Sequence, residues 1–137
     1  MILLDTCALL WLGIGYPPGA GVAEAMEAAQ AQDGVLLSPI SAWEIAQKEA
    51  KRPGVLGLSA PPLAFFRRAA AQTGFRVVPL TPEILTASVG LEGFGTADPV
   101  DRMIVATAIA HDARILTADA RMLGYAGVAT IDYGRPG

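Results

Sequence analysis

Cysteine and histidine are almost missing from this chain: its 137 residues include one of each, Cys7 and His111. A single thiol permits no internal disulfide, which suits a reducing, cytoplasmic setting. So few nitrogen and sulfur donors also leave no zinc-type ligand set. His111 closes a helix-forming stretch with no evident nucleophile, and Cys7 reads as a small buried side chain rather than a reactive thiol. Charge is sparse as well, at 17% of residues against 53% hydrophobic. That balance is too apolar for a disordered chain and too interrupted by charge for a membrane protein. Residues 6–23 lack charge altogether, but Asp5 precedes them with no basic segment, and Gly13, Gly15, Pro17, Pro18, Gly19 and Gly21 would break a spanning helix. The expectation is a soluble, cytoplasmic protein with no membrane partner. A net charge of −3 does not favour nucleic acid as a partner. An acidic metal site would itself supply much of that charge, so the placement of the basic residues decides more than their number.

What is present is an alternation of short apolar runs with helix-forming stretches. MILL (1–4) ends at Asp5, and ALLWL then reads as a helical turn or two before a Gly/Pro loop at 13–21. An Ala-rich helix is expected over 22–32, a strand over 35–37, a helix over 41–51 closed by Pro53 and Gly54, and a helix over 62–73 with Ser59 as its candidate cap and Gly74 as its stop. FRVVPL (75–80) reads as a strand and 82–91 as a helix. A glycine-rich loop leads to Asp98, and Pro99 opens the most regular helix, running to about His111, since proline is favoured at the first helical position. RILT (114–117), a short helix after Asp119 and VATI (128–131) complete the series. This order predicts an α/β fold: one domain over residues 1–137, with a mainly parallel sheet of about five strands and helices on both faces. Ligands of such sheets bind beyond the carboxyl ends of the strands, where Asp5 and Asp119 fall.

Four acids stand out, and each has a structural role to weigh against a chemical one. Ser41-Ala42-Trp43-Glu44 fits a capping box, the plainer reading of Glu44 taken alone. Asp98 before Pro99 fits a helix N-cap, Asp101 suits the first turn of the same helix, and Asp119 suits the cap of the next. Asp5 is hardest to explain structurally, because a charge directly after a buried strand needs a partner. Were the four to converge, two unit charges about 5 Å apart would repel by roughly 3 kcal/mol at an effective dielectric near 20. Several such pairs would consume much of a typical stability of about 5–15 kcal/mol. A converged cluster must therefore hold protons or a cation, and an all-oxygen donor set favours Mg²⁺ or Mn²⁺.

Three segments, MILLDTCALLWL, SPISAWEIAQKEAKRPG and PVDRMIVATAIAHDARILTAD, resemble the signature regions of PIN-domain proteins, and more narrowly the VapC-type toxins of bacterial toxin–antitoxin pairs. The likeness spans nearly the whole chain in order. It implies a PIN fold, a metal-dependent RNA-cleaving activity and an acidic set at Asp5, Glu44, Asp101 and Asp119. Thr117 is then the polar neighbour that positions the last acid or a water. The resemblance also implies a homodimer and a small cognate antitoxin that blocks the site. Two departures stand out. Relatives of the DPxDR form often carry a histidine shortly before the first aspartate, where this chain has Gly95-Thr96-Ala97, and Cys7 stands where a polar residue is common.

For RNA contact the candidates are Lys48 and Arg52, which continue the Glu44 helix, and Arg102 beside Asp101; an ordinary Glu44–Lys48 pair on a solvated face is the alternative. Trp11, Trp43, Phe65 and Phe66 read as core or interface, and Arg67 and Arg68 as solvating charge. A haloacid-dehalogenase-type phosphatase would need a second acid at Cys7, and a receiver-like domain an aspartate where Leu80 and Thr81 follow the third strand. A catalytically inactive PIN-like module that binds RNA or protein is the remaining rival, against which the retention of all four acids argues.

Overall fold

The structure is a computed structural model that describes residues 1–95 and 98–134. Its elements run β1 (Ile2–Leu4), α1 (Thr6–Ile14), α2 (Ala20–Ala31), β2 (Val35–Leu37), α3 (Pro39–Lys51), α4 (Pro62–Ala70), β3 (Phe75–Val77), α5 (Pro82–Val89), α6 (Pro99–His111), β4 (Arg114–Thr117), α7 (Ala120–Leu123) and β5 (Thr130–Asp132). The strands form one five-stranded sheet in the order β3-β2-β1-β4-β5, every pairing parallel. Among the described residues no helix is long and apolar enough to cross a membrane.

Because side chains alternate along a strand, the three-residue strands feed two cores. Ile2 and Leu4 of β1 and Val35 and Leu37 of β2 pack with Leu9, Met26, Phe65 and Phe66 of α1, α2 and α4. Leu3, Leu36 and Ile115 turn the other way, onto Ile104 and Val105 of α6 and Met122 of α7. With both faces covered, the central strands are apolar without interruption, as parallel strands require. α3 serves both sides: Ile45 enters the first core while Ile40 packs against the second.

The departures from expectation are local. α3 starts at Pro39 rather than at 41, because the Ser38 hydroxyl accepts from the Ile40 amide at 3.2 Å and caps the helix there. Ser41 is instead buried inside the helix, its hydroxyl 3.0 Å from that of Thr6 on α1. There is accordingly no capping box, and Glu44 lies a turn too far along to serve one. Ser59 does not cap α4; its hydroxyl accepts from Arg68 at 3.4 Å, and the helix ends at Ala70. β3 stops at Val77, shortly before Pro79, which has no amide to give the ladder. β5 runs on to Asp132, which pairs with Thr117. Trp43, read above as core or interface, is 53% exposed and so not part of the core. Tyr133, which patterning did not single out, is fully buried and meets Trp11 edge-on at 5.2 Å between ring centres.

Gly74 is the tightest backbone approach: its φ is +80°, and a Cβ there would lie 2.5 Å from the Gln30 carbonyl oxygen. A Gly74→Ala chain is expected to lose about 1–2 kcal/mol to left-handed backbone and about 1–3 kcal/mol more to displacement of α2. Urea unfolding would register the sum as a lower midpoint at unchanged slope.

Candidate active site

Parallel pairing puts every strand's carboxyl end on one edge of the sheet. The chain winds outward from β1 through β2 to β3, then returns to lay β4 against the other side of β1. The strand order therefore reverses between β1 and β4, and folds of this type open a crevice at that point. Asp5 follows β1, its amide still bonded to the Leu116 carbonyl at 3.2 Å, and Asp119 lies two residues beyond β4. α3 brings Glu44 to the crevice, and the start of α6 brings Asp98 and Asp101. All five acids line one cleft of about 570 Å³, together with Thr6, Cys7, Trp11, Lys48 and Arg121.

Capping holds three of the acids in place: Asp98 and Asp119 take the caps read for them from the sequence, and Asp5 caps a helix as well, whereas Glu44 caps none. Asp5 is 5% exposed. Its Oδ1 accepts from the Ala8 amide at 2.8 Å and caps α1, while its Oδ2 accepts from the Thr117 hydroxyl at 2.5 Å. The Thr117 oxygen in turn accepts the Asp119 amide at 2.9 Å, so one buried hydroxyl ties the first acid to the last. Asp119 Oδ1 accepts from the Arg121 and Met122 amides at 2.8 and 3.3 Å and caps α7. Asp98 Oδ1 accepts from the Val100 amide at 2.9 Å and caps α6. Three helix N-termini thus meet the cleft through capping carboxylates, and their partial positive charge offsets some of the repulsion.

The remaining repulsion is legible in the titration of the acids. Burial, above all, raises the Asp5 carboxyl; the Thr117 and Ala8 hydrogen bonds pull it down, and the charges of Asp119 and Glu44 raise it further. Asp101, half-buried in the first turn of α6, is pushed from 3.8 to about 7, first by burial and then by Asp98, Asp119, Glu44 and Asp5. The charges of Asp119 and Glu44 therefore act on both Asp5 and Asp101. Among the described residues, however, no three His, Cys, Asp or Glu side chains are already closed into a metal-holding group. The acids ring the cleft rather than touch.

The basic candidates divide. Lys48 lines the cleft, with its Nζ 4.0 Å from Glu44. Arg52 does not: the chain leaves the helical path there, at φ −138°, and Arg52 borders a separate groove with Val55 and Leu56. Arg102 is not among the residues that line the cleft. Its guanidinium donates to the carbonyls of Ser88 (2.8 Å), Val89 (3.0 Å), Phe94 (3.3 Å) and Leu91 (3.3 Å), binding the end of α5 and the loop after it to α6. Cys7 is exposed in the cleft rather than buried. Arg121 was not foreseen, and its place in the first turn after Asp119 was the available signal. Thr96 and Ala97, where relatives often carry histidine nearby, lie outside the described residues.

Three outcomes follow. A carboxyl whose folded pKa exceeds its unfolded value holds its proton more tightly in the native chain. Its contribution is therefore greatest at low pH and is lost as pH rises from 3.8 to about 7. Metal-free protein should accordingly lose stability across that window, and Asp101→Asn should flatten the profile in thermal melts. Thr117→Val removes a hydrogen bond to a carboxylate and strands the Asp119 amide, an expected loss of about 1–3 kcal/mol in urea titrations. Arg102→Ala should cost a similar amount of stability while leaving RNA affinity unchanged in filter binding.

Comparison with known proteins agrees with this architecture. A family model described as PIN domain matches residues 2–128. The chain is 32% identical over 122 residues, 88% of each sequence, to Ribonuclease VapC22 of Mycobacterium tuberculosis. In fold it is similar to a chain of a toxin–antitoxin complex from Klebsiella pneumoniae, with a TM-score of 0.64, 22% identity and 98% of each chain covered. It is similar also to VapC20 of M. tuberculosis, a sarcin–ricin-loop-cleaving toxin, with a TM-score of 0.58, 18% identity, and 93% of this chain and 98% of that one covered.

Proposed function

The chain belongs to the PIN-domain family, and from that membership and the acidic cleft we propose that it is a divalent-metal-dependent endoribonuclease, the toxin of a toxin–antitoxin pair. The observation that carries this reading is the meeting of Asp5, Glu44, Asp101 and Asp119 in one cleft at the point where strand order reverses. The relative that is a ribonuclease by name, and the toxins among the similar structures, support the choice of RNA and of a protein partner.

The donor set fits a hard cation. It is all oxygen, its members repel one another, and Asp101 keeps a proton up to about pH 7, the state expected of a carboxyl whose natural counter-ion is a metal. Mg²⁺ keeps several waters and needs only one or two carboxylates, so a ring of acids that do not touch suits it. Asp5 and Asp101 would hold the ion, with Glu44 and Asp119 reaching it through water or sharing a second one. When bound, the cation supplies positive charge beside the scissile phosphate and acidifies nearby water.

The chain's own groups do the rest. Asp101, its pKa raised to about 7, would have to lose its proton before it could hold a cation as a carboxylate. Thr117 and the Ala8 amide hold both oxygens of Asp5, so the deepest carboxylate cannot turn away. Lys48 offers a cation at the rim for the RNA backbone. In-line attack by water on phosphorus expels the 3′ oxygen, leaving 5′-phosphate and 3′-hydroxyl ends. A small cognate antitoxin that covers the cleft, and pairing of two chains, belong to the same reading.

Purified protein with Mg²⁺ or Mn²⁺ should cleave a mixed RNA pool, and EDTA should stop it. Asp5→Asn and Asp101→Asn should lower the rate at least as much as the roughly 100-fold that outer-shell partners of a metal site can command. Metal binding without turnover on any RNA would instead favour an inactive binding module.

A further inference from the structure

We propose that the indole of Trp43 is a stacking platform for an unpaired nucleobase beside the scissile phosphate, in a groove that continues the acidic cleft along α3. The inference rests on the ribonuclease reading above and adds to it a subsite and a direction for the strand. Phe65 and Phe66 go into the core, yet Trp43 is left 53% exposed. Exposure alone decides nothing, but Trp43 lines a groove, so its indole is presented to whatever occupies it.

Its surroundings narrow the ligand. Trp43, Gln47 and Lys51 recur every four residues and form one row along α3, and Glu44 and Lys48 form the row beside it. Between α3 and the first turn of α6 lies a groove of about 370 Å³, lined by Trp43, Gln47, Lys48, Lys51, Pro99 and Val100. Glu44, Lys48, Asp98 and Val100 border both this groove and the cleft, so the two are continuous.

The chemistry of the groove matches a nucleotide part by part. Every base has a π-face, and the indole offers a surface for it. Lys48 and Lys51 supply charge for the phosphates on either side, and the Gln47 amide carries both a donor and an acceptor for a base edge. The acids of the cleft repel a polyanion wherever a cation does not cover them. The two lysines of α3 therefore mark the side along which a single strand leaves. An apolar peptide laid in the same groove would leave Lys51 without a partner for its charge, and Lys48 with Glu44 alone.

The test compares two probes of equal charge, short oligo(A) RNA and a ribose-phosphate chain of the same length lacking bases, by fluorescence anisotropy in Ca²⁺. The proteins are wild type, Trp43→Leu and Trp43→Phe, with melting curves to confirm that each is folded. Wild type should prefer oligo(A). Trp43→Leu should weaken oligo(A) binding about 5- to 150-fold and leave the abasic chain unaffected, while Trp43→Phe restores most of the loss. Equal losses on both probes would make Trp43 a structural residue and overturn the proposal. So would unchanged oligo(A) binding in Trp43→Leu, and so would loss of a cognate antitoxin's binding with RNA affinity intact. If wild type neither binds nor cleaves RNA, the ribonuclease reading falls and takes this one with it. If wild type cleaves RNA and the leucine variant binds oligo(A) normally, only the stacking subsite falls.

Discussion

Carboxylates that repel one another are held around a single cleft, and the local structure at the carboxyl edge of the sheet answers to that constraint. Asp5 is buried and Asp101 half-buried, and Asp119 and Glu44 act on both. Water therefore screens the charges only in part. The chain meets the repulsion in three ways. Asp5, Asp98 and Asp119 each sit at a helix N-terminus, where amides and the helix dipole favour negative charge. The Thr117 hydroxyl donates a hydrogen bond to Asp5 and accepts one from the Asp119 amide. Asp101, whose carboxyl accepts no hydrogen bond among the described residues, has its pKa raised to about 7. A site so arranged concentrates negative charge that a bound cation would offset.

α3 links this electrostatic problem to the rest of the molecule. Its residues enter both cores, so the helix cannot shift toward either face of the sheet without loosening the other. The buried Thr6–Ser41 contact fastens it to α1, directly beside Asp5. Glu44 is thereby placed over the cleft by packing rather than by its own contacts. The neighbouring row of α3, with its exposed tryptophan and lysine, is carried along at a fixed distance from the acids.

Much of this was legible in the sequence, for a physical reason. Strands buried on both faces must be largely apolar, so ILL, VLL and the central IL of RILT announce themselves, and the residues just beyond such strands are where chemistry in a parallel sheet belongs. Asp98 and Pro99 carry a cap and a first-turn signal that nothing nearby competes with, and the helix begins there as read. Ser38 and Ser41 compete for the same role, and only tertiary contact with Thr6 decides between them. Cys7 was misjudged because its neighbours Thr6 and Ala8 are both buried, and one step of helical rotation carries the residue between them outward. The task of Arg102 is set by four carbonyls belonging to the end of α5 and the loop after it. Only the closed fold brings them to it.

A cleft that gathers its acids to hold a divalent cation should bind one saturably and release protons as it does so. The most direct measurement is calorimetric titration of the metal-free protein with Mn²⁺ near pH 6.5, repeated in buffers of different ionisation enthalpy. Saturable binding accompanied by proton release is the expected result, since Asp101 is still largely protonated there. The release should vanish in Asp101→Asn, and binding should collapse in Asp5→Asn. Heats that do not saturate, or binding that persists undiminished in both variants, would contradict the claim and leave the clustered acids without a purpose.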